Sequence, residues 1–221
     1  MDALLHQFFN VEVMLRSWPI MLKGAWLTLL LCLAVIPMGL IGGLLVALAS
    51  TSKKKRIRLP VVVLVDFFRA VPPLALLIFI SAGLPFAGVR LSPFMAVVLS
   101  FFLNNSAYYG EIIRAGIESI GAGQREAARS TGLNAWQTQC FVVLPQALRN
   151  VLPDLLSNTI EVVKLTSLAS VVAFAELLYA AEMARSVTYN ASPLIMAAAI
   201  YLVLLWPAVR LASGLEHKFR S

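Results

Sequence analysis

Glu161 and Lys164 stand three residues apart in a stretch, 151–175, whose only other charge ahead of them is Asp154. A charged side chain at the centre of a bilayer costs roughly 2.5–3.5 kcal/mol on insertion scales. Groups kept in such a setting need a partner or a task. Spacing of three puts Glu161 and Lys164 on one helical face, and Asp154 and Ser157 extend that stripe. One reading is a mutually neutralised pair with a structural or gating role, and this is the favoured one. The other is a site for a zwitterion, Glu161 meeting an α-ammonium and Lys164 an α-carboxylate. Asp66 and Arg69 repeat the spacing just ahead of Pro72 and Pro73, which implies a kinked gate or a local ion pair at a break. Asn104, Asn105, Ser106, Tyr108 and Tyr109 cluster in a third apolar stretch, either lining a polar path or bonding across helices. Glu111 and Arg114, again three apart, read as structural. Glu176 and Glu182 read as solvated charges.

Other chemistry is absent from the pattern. No hydrolase triad or nucleophile elbow is visible, so no catalytic residue is assigned. His6 and His217 lie near opposite ends, far from any carboxylate cluster of ligand spacing, so no metal is expected. Cys32 and Cys140 read as inert thiols. A net charge of +7 would suggest nucleic acid in a soluble chain. Here the basic residues flank apolar runs, which makes them a topology signal and nucleic acid an unneeded partner.

The elements that must carry these groups follow from charge-free runs. The 221 residues are 60% hydrophobic and 13% charged, with a mean hydropathy of +0.84. Soluble domains are nearer half apolar and a quarter charged. There are 29 uncharged residues between Lys23 and Lys53, 20 between Arg69 and Arg90, 20 between Arg90 and Glu111, and 24 between Arg185 and Arg210. About 20 suffice to cross. With 151–175 these give five spans. With the N-terminus outside and the C-terminus inside, twelve basic residues fall on the inner side and four on the outer, as the positive-inside rule requires. The expected architecture is all-α and integral to the membrane. It comprises an interfacial helical segment at 1–18, a transmembrane domain at 19–215 with a first helix starting at Pro19, and a cytoplasmic tail at 216–221. The early acid and the lack of a basic leader exclude a secretory signal in the sequence as given.

One polar segment, Gly123 to Pro145, interrupts this pattern on the inner side. Gln124 to Thr131 favour helix, with Glu126 in the first turn and two methyl side chains, Ala127 and Ala128, that let another surface approach. Gly132 supplies the left-handed residue that ends a helix. A second helical piece starts at Asn134 and stops at Pro145. The result is a short bare helix on a stalk, shaped to be gripped.

The segment resembles the EAA loop of bacterial ABC-importer permeases. Glu126, Ala127, Ala128, Gly132, Val142, Leu144 and Pro145 stand at that loop's spacings, with valine for the usual isoleucine. The resemblance narrows to the polar amino-acid branch through "AYYGEIIRAGI" (Ala107 to Ile117), "GQREAA" and "PQALRNVLP". "KLTSL" (Lys164 to Leu168) carries Leu165 where that branch has an acid, and "FRAVPP" (Phe68 to Pro73) departs at Ala70, Val71 and Pro73. The resemblance implies a permease subunit, not an enzyme, that moves a polar amino acid or close analogue across the bacterial cytoplasmic membrane. It implies partners: a cytoplasmic ATPase dimer, a second permease subunit (a copy or a sister), an extracytoplasmic binding protein and surrounding lipid. ATP and Mg would sit on the ATPase, since this chain has no phosphate-binding GxxxxGK[ST]. Gln124, Glu126, Ala127, Ala128 and Gly132 would form the coupling helix, and Glu161, Lys164, Asn104, Tyr108 and Arg69 are the candidates for the path or substrate site. Two alternatives remain at this point. An ion-driven carrier would use Glu161 and Lys164 as coupling groups and favour inverted repeats, of which none is seen. A non-transporting scaffold would only recruit an ATPase.

Overall fold

The computed structural model describes residues 2–220, with side chains from Leu4 to Gly214. Met1, Ser221 and the side chains of the expected tail, with His217, Lys218 and Arg220, lie outside the described residues. The described residues are mostly helical and contain no strand. In order it forms α1 (Asp2–Phe8), α2 (Val11–Ser50), α3 (Lys55–Ala70), α4 (Pro73–Ile78), α5 (Pro93–Ser119), α6 (Ala122–Ser130), α7 (Ala135–Gln137), α8 (Leu144–Asn150), α9 (Leu152–Leu165), α10 (Leu177–Thr188) and α11 (Ser192–Arg220). Wider π-type turns at Phe79–Gly83 and Thr138–Val143 and tighter 3-10 turns at Leu84–Ala87 and Thr166–Val172 extend α4, α7 and α9.

Three helical stretches among the described residues are long and apolar enough to cross a membrane: Leu4–Ser50, Leu152–Val172 and Ser192–Gly214. A fourth exists if α3 and the segment Pro73–Ala87, bent by 100°, count as one broken span. At 27 residues α5 has the length, about 40 Å at 1.5 Å per residue, but its polar run from Asn104 to Tyr109 lowers its hydropathy. The outward faces are apolar in a way water would not tolerate. Leu33, Ile41, Leu45, Val203 and Leu211 are each more than 60% exposed, as lipid contact requires.

Several boundaries differ from the sequence expectation. The first long helix does not begin at Pro19; α2 starts at Val11 and runs through Pro19 and Pro37. A proline inside a helix loses one backbone hydrogen bond and crowds the preceding turn, and here burial of the following turn offsets that, with Met21 fully buried. Pro145 does not stop a helix either. It opens α8 at its first turn, and the π-type segment ahead of it absorbs its missing donor, with Leu144 N–H reaching Gln139 O. The kink at Pro72–Pro73 does appear, as the break between α3 and α4.

The chain divides into two compact units. The first holds the chain up to Ile36, Pro72–Phe101 and Ile160–Arg210. Its core joins Met21 to Leu177, Ala180, Ala181, Met196 and Ala197. The alanines allow close helix approach. The Thr28 hydroxyl donates to Gly24 O and accepts from Leu177 N–H, each at 3.1 Å, a bond that pins the start of α10 to α2. The turn before α11 is held to the α1–α2 junction, with Asn190 Nδ2 donating to His6 O at 2.8 Å and Asn10 N–H to Ser192 Oγ at 2.8 Å.

The second unit holds Pro37–Val71, Phe102–Thr159 and the chain from Leu211. Here α2 and α5 meet backbone to backbone. A Cβ on Gly43 would lie 2.5 Å from Tyr109 Cβ and 2.9 Å from Gly110 N, so only glycine permits the contact. The Tyr109 hydroxyl and Thr159 Oγ1, 2.8 Å apart, then tie α5 to α9.

Candidate functional site

The polar segment forms two joined pieces. Helix α6 begins at Ala122, two residues earlier than the sequence suggests, so Glu126 lies in its second turn rather than its first. Its end is built as expected. Gly132 takes φ +89°, the left-handed conformation that costs glycine least, and Gly132 N–H reaches Arg129 O at 3.1 Å. Asn134 then caps α7, its side chain accepting from Gln137 N–H while Gln137 Oε1 accepts from Asn134 N–H, both at 2.9 Å.

The two alanines do different things. Ala127 is exposed, but Ala128 is buried, so Ala128 seats α6 against its own chain and only Ala127 is open to another surface. Gln124, Glu126 and Gly132 are exposed beside Ala127. The stalk is stiff. Arg125 donates to Ile117 O at 2.7 Å, Gln146 Nε2 to Gln124 Oε1 at 3.4 Å, and Asn150 Nδ2 to Ser119 Oγ at 3.2 Å.

Arg69, Asn104 and Tyr108 are brought together, and the reason is the break after α3. A helix end leaves its last carbonyls without intrahelical donors. Asn104 Nδ2 donates to Phe68 O at 3.1 Å and the Tyr108 hydroxyl to Arg69 O at 3.3 Å. The Arg69 guanidinium lies 5.7 Å from the centre of the Tyr108 ring. Arg69 does not pair with Asp66. It reaches Glu111 at 3.7 Å, which Arg114 already holds through two bonds of 2.6 and 2.8 Å. Arg114 also meets Glu118 at 2.6 Å. The second carboxylate, one turn further on, was not legible from spacing of three alone. Asn104 Oδ1, Ser106 Oγ and Asn158 Nδ2 are buried without a partner, so this unit keeps unused polar capacity inside.

Glu161 and Lys164 lie in the first unit and bond to each other at 2.5 Å. Their side chains are 61% and 52% exposed. The pair therefore faces out of the chain rather than into its own packing.

Glu176 corrects the reading of a solvated acid: it is fully buried. It caps α10, accepting from Leu178 N–H and Tyr179 N–H at 2.8 Å each, and from the Tyr201 hydroxyl at 2.9 Å. Glu176 lies between the two C-terminal apolar stretches, and its burial pushes the carboxyl above the usual range while these three donors pull it back. An acid directly before the run Leu177-Leu178-Tyr179 is a helix-cap signal; the contact with Tyr201, 25 residues on, has no sequence signature.

Both cysteines are free, and no group of three or more metal-ligand side chains forms among the described residues.

These features define a multi-pass, all-α membrane protein. The chain belongs to the family of binding-protein-dependent transport system inner membrane components, whose model matches residues 39–221. It is 34% identical to the Bacillus subtilis protein described as "Probable amino-acid ABC transporter permease protein YckA", over 96% of this chain and 94% of that one. It is 32% identical to the arginine transport system permease protein ArtQ of the same organism, over 92% and 94%. Among solved structures it resembles an amino acid ABC transporter crystallised with histidines, at 36% identity and a TM-score of 0.84, covering 93% of this chain and 96% of that one. The MetNI methionine transporter, at 18% identity and a TM-score of 0.76 over 90% and 96%, shares the fold. As a permease subunit the chain is a transport component rather than a catalyst.

Proposed function

We propose that this chain is the permease subunit of an ATP-driven importer for a polar amino acid or close analogue in a bacterial cytoplasmic membrane. It crosses five times, with α6 on the inner side. The observation that carries the reading is α6 itself: an exposed helix, ended by a left-handed glycine and mounted on a braced stalk, showing Gln124, Glu126 and Ala127 outward. The names of the relatives supply the solute class. A cytoplasmic ATPase dimer grips α6, a second permease subunit completes the path, and an extracytoplasmic binding protein delivers the solute. ATP and Mg act on the ATPase. Closure of the ATPases moves the two coupling helices together and opens the spans outward; hydrolysis resets them. This works only if α6 fits its groove differently in the two states.

Glu161 and Lys164 are the candidates for contact with the solute. An exposed pair contributes at most about 1 kcal/mol to stability, so neutralising it leaves the fold intact and reports on transport. Asn104, Tyr108 and Arg69 serve first to satisfy the end of α3, which makes them positioning groups along the path.

The test is reconstitution with the ATPase and binding protein. A cysteine at Ala127 should crosslink to the ATPase, whereas one at the buried Ala128 should not. Glu161→Gln should alter the solute dependence of ATP hydrolysis in an assembled complex. Failure of Ala127→Cys to capture the ATPase, or ATP-independent uptake, overturns the coupling reading. Unchanged solute dependence in Glu161→Gln removes Glu161 from the solute site.

A further inference from the structure

A cavity of about 1000 Å³ opens in the second unit between the end of α2, one flank of α6 and the segment Ala135–Val143. Lys53, Arg125 and Arg129 line it against a single carboxylate, Glu126. None of these four makes an ion pair among the described residues. Arg125 is nonetheless fixed in place by its bond to Ile117 O.

We propose that this cavity binds the headgroup of an anionic phospholipid, its phosphate on Lys53, Arg125 and Arg129. Three features select a lipid over a free anion. The cavity far exceeds an inorganic phosphate. Leu48, at its rim, belongs to the last apolar turn of α2, where the hydrocarbon ends and the basic run Lys53–Arg58 begins. Trp136, also lining it, is 65% exposed, and tryptophan settles at membrane interfaces. Basic pockets at the cytoplasmic ends of spans attract anionic headgroups at about fivefold per cation. The lipid sits on the flank of α6 that carries Arg125 and Arg129, with Glu126 at its edge, and leaves Gln124 and Ala127 clear. The inference rests on the membrane placement proposed above, not on the solute, and its readout involves no transport.

The test follows lipid retained by the purified full chain, in nanodiscs of phosphatidylcholine doped with phosphatidylglycerol, by native mass spectrometry after delipidation. Wild type should keep phosphatidylglycerol selectively. Lys53→Gln with Arg129→Gln should weaken retention about thirtyfold at fivefold per cation. Lys55→Gln with Arg56→Gln, which removes equal charge outside the cavity, should have a small effect. All four substituted cations are exposed, so unchanged helicity is expected in both double variants. Equal losses in the two double variants would show diffuse charge and overturn the site. So would equal retention of phosphatidylcholine, displacement by inorganic phosphate, or displacement by the ATPase partner.

Discussion

Replacing Gly132 by asparagine, alanine and aspartate separates backbone strain from charge at the end of α6. A Cβ at this position would meet nothing within 4 Å, so no neighbour is displaced and the whole steric cost lies in φ +89°. An L-residue held left-handed costs about 1–2 kcal/mol. That corresponds to a five- to thirtyfold loss of the properly ended helix for alanine. A restricted unfolded chain returns about 0.4–1 kcal/mol of global stability, so melting changes little while the local conformation suffers. Asparagine enters the left-handed region more readily than alanine and should fall between glycine and alanine. Aspartate enters the left-handed region as asparagine does but adds a negative charge at a helix C-terminus, about 0.3–1 kcal/mol beyond asparagine, or a further two- to fivefold. Coupling is expected to fall from glycine to asparagine, and from asparagine to both alanine and aspartate, with aspartate abolishing measurable uptake. The assay is ATP hydrolysis and uptake in proteoliposomes containing the ATPase and binding protein, alongside co-purification of the subunits. Normal uptake and hydrolysis in Gly132→Asp would refute the docking role. Alanine matching glycine while asparagine fails would refute the strain argument.

The remaining outcomes concern packing and polar ties. Gly43→Val should destabilise the chain by at least about 1–3 kcal/mol, because its Cβ would lie 2.9 Å from a backbone nitrogen, whereas Gly121→Ala, facing open space, should be nearly neutral; thermal unfolding in detergent measures both. Glu176→Gln should cost about 1–3 kcal/mol, since an amide cannot accept three bonds with its one oxygen, and Tyr201→Phe should cost less; equal melting temperatures for all three forms would refute the buried tie. Arg114→Ala should destabilise more than Arg69→Ala, by roughly 1 kcal/mol, because it leaves Glu111 and Glu118 together without their bidentate and close partners; urea titration of the pair of variants decides the order.

The sequence by itself determined the solvent, the helical class and how α6 ends. Charge-free runs of helical length have one economical environment, and a left-handed terminator is a local property that Gly132 carries wherever it is placed. The prolines show where local rules stop. Pro72–Pro73 breaks its helix, while Pro19 and Pro145 do not, because the missing hydrogen bond is a small local loss that packing or a wider turn elsewhere can offset. Only the tertiary structure decided which polar groups face inward. Ala127 and Ala128 are identical in sequence terms, yet one packs and one is exposed. Glu176 looks like a surface acid and is instead buried beneath Tyr201, and Arg69 passes over Asp66, three residues away, for Glu111. In each case the deciding partner is brought near by helix packing, and burial and pairing depend on distances in space that spacing along the chain does not encode.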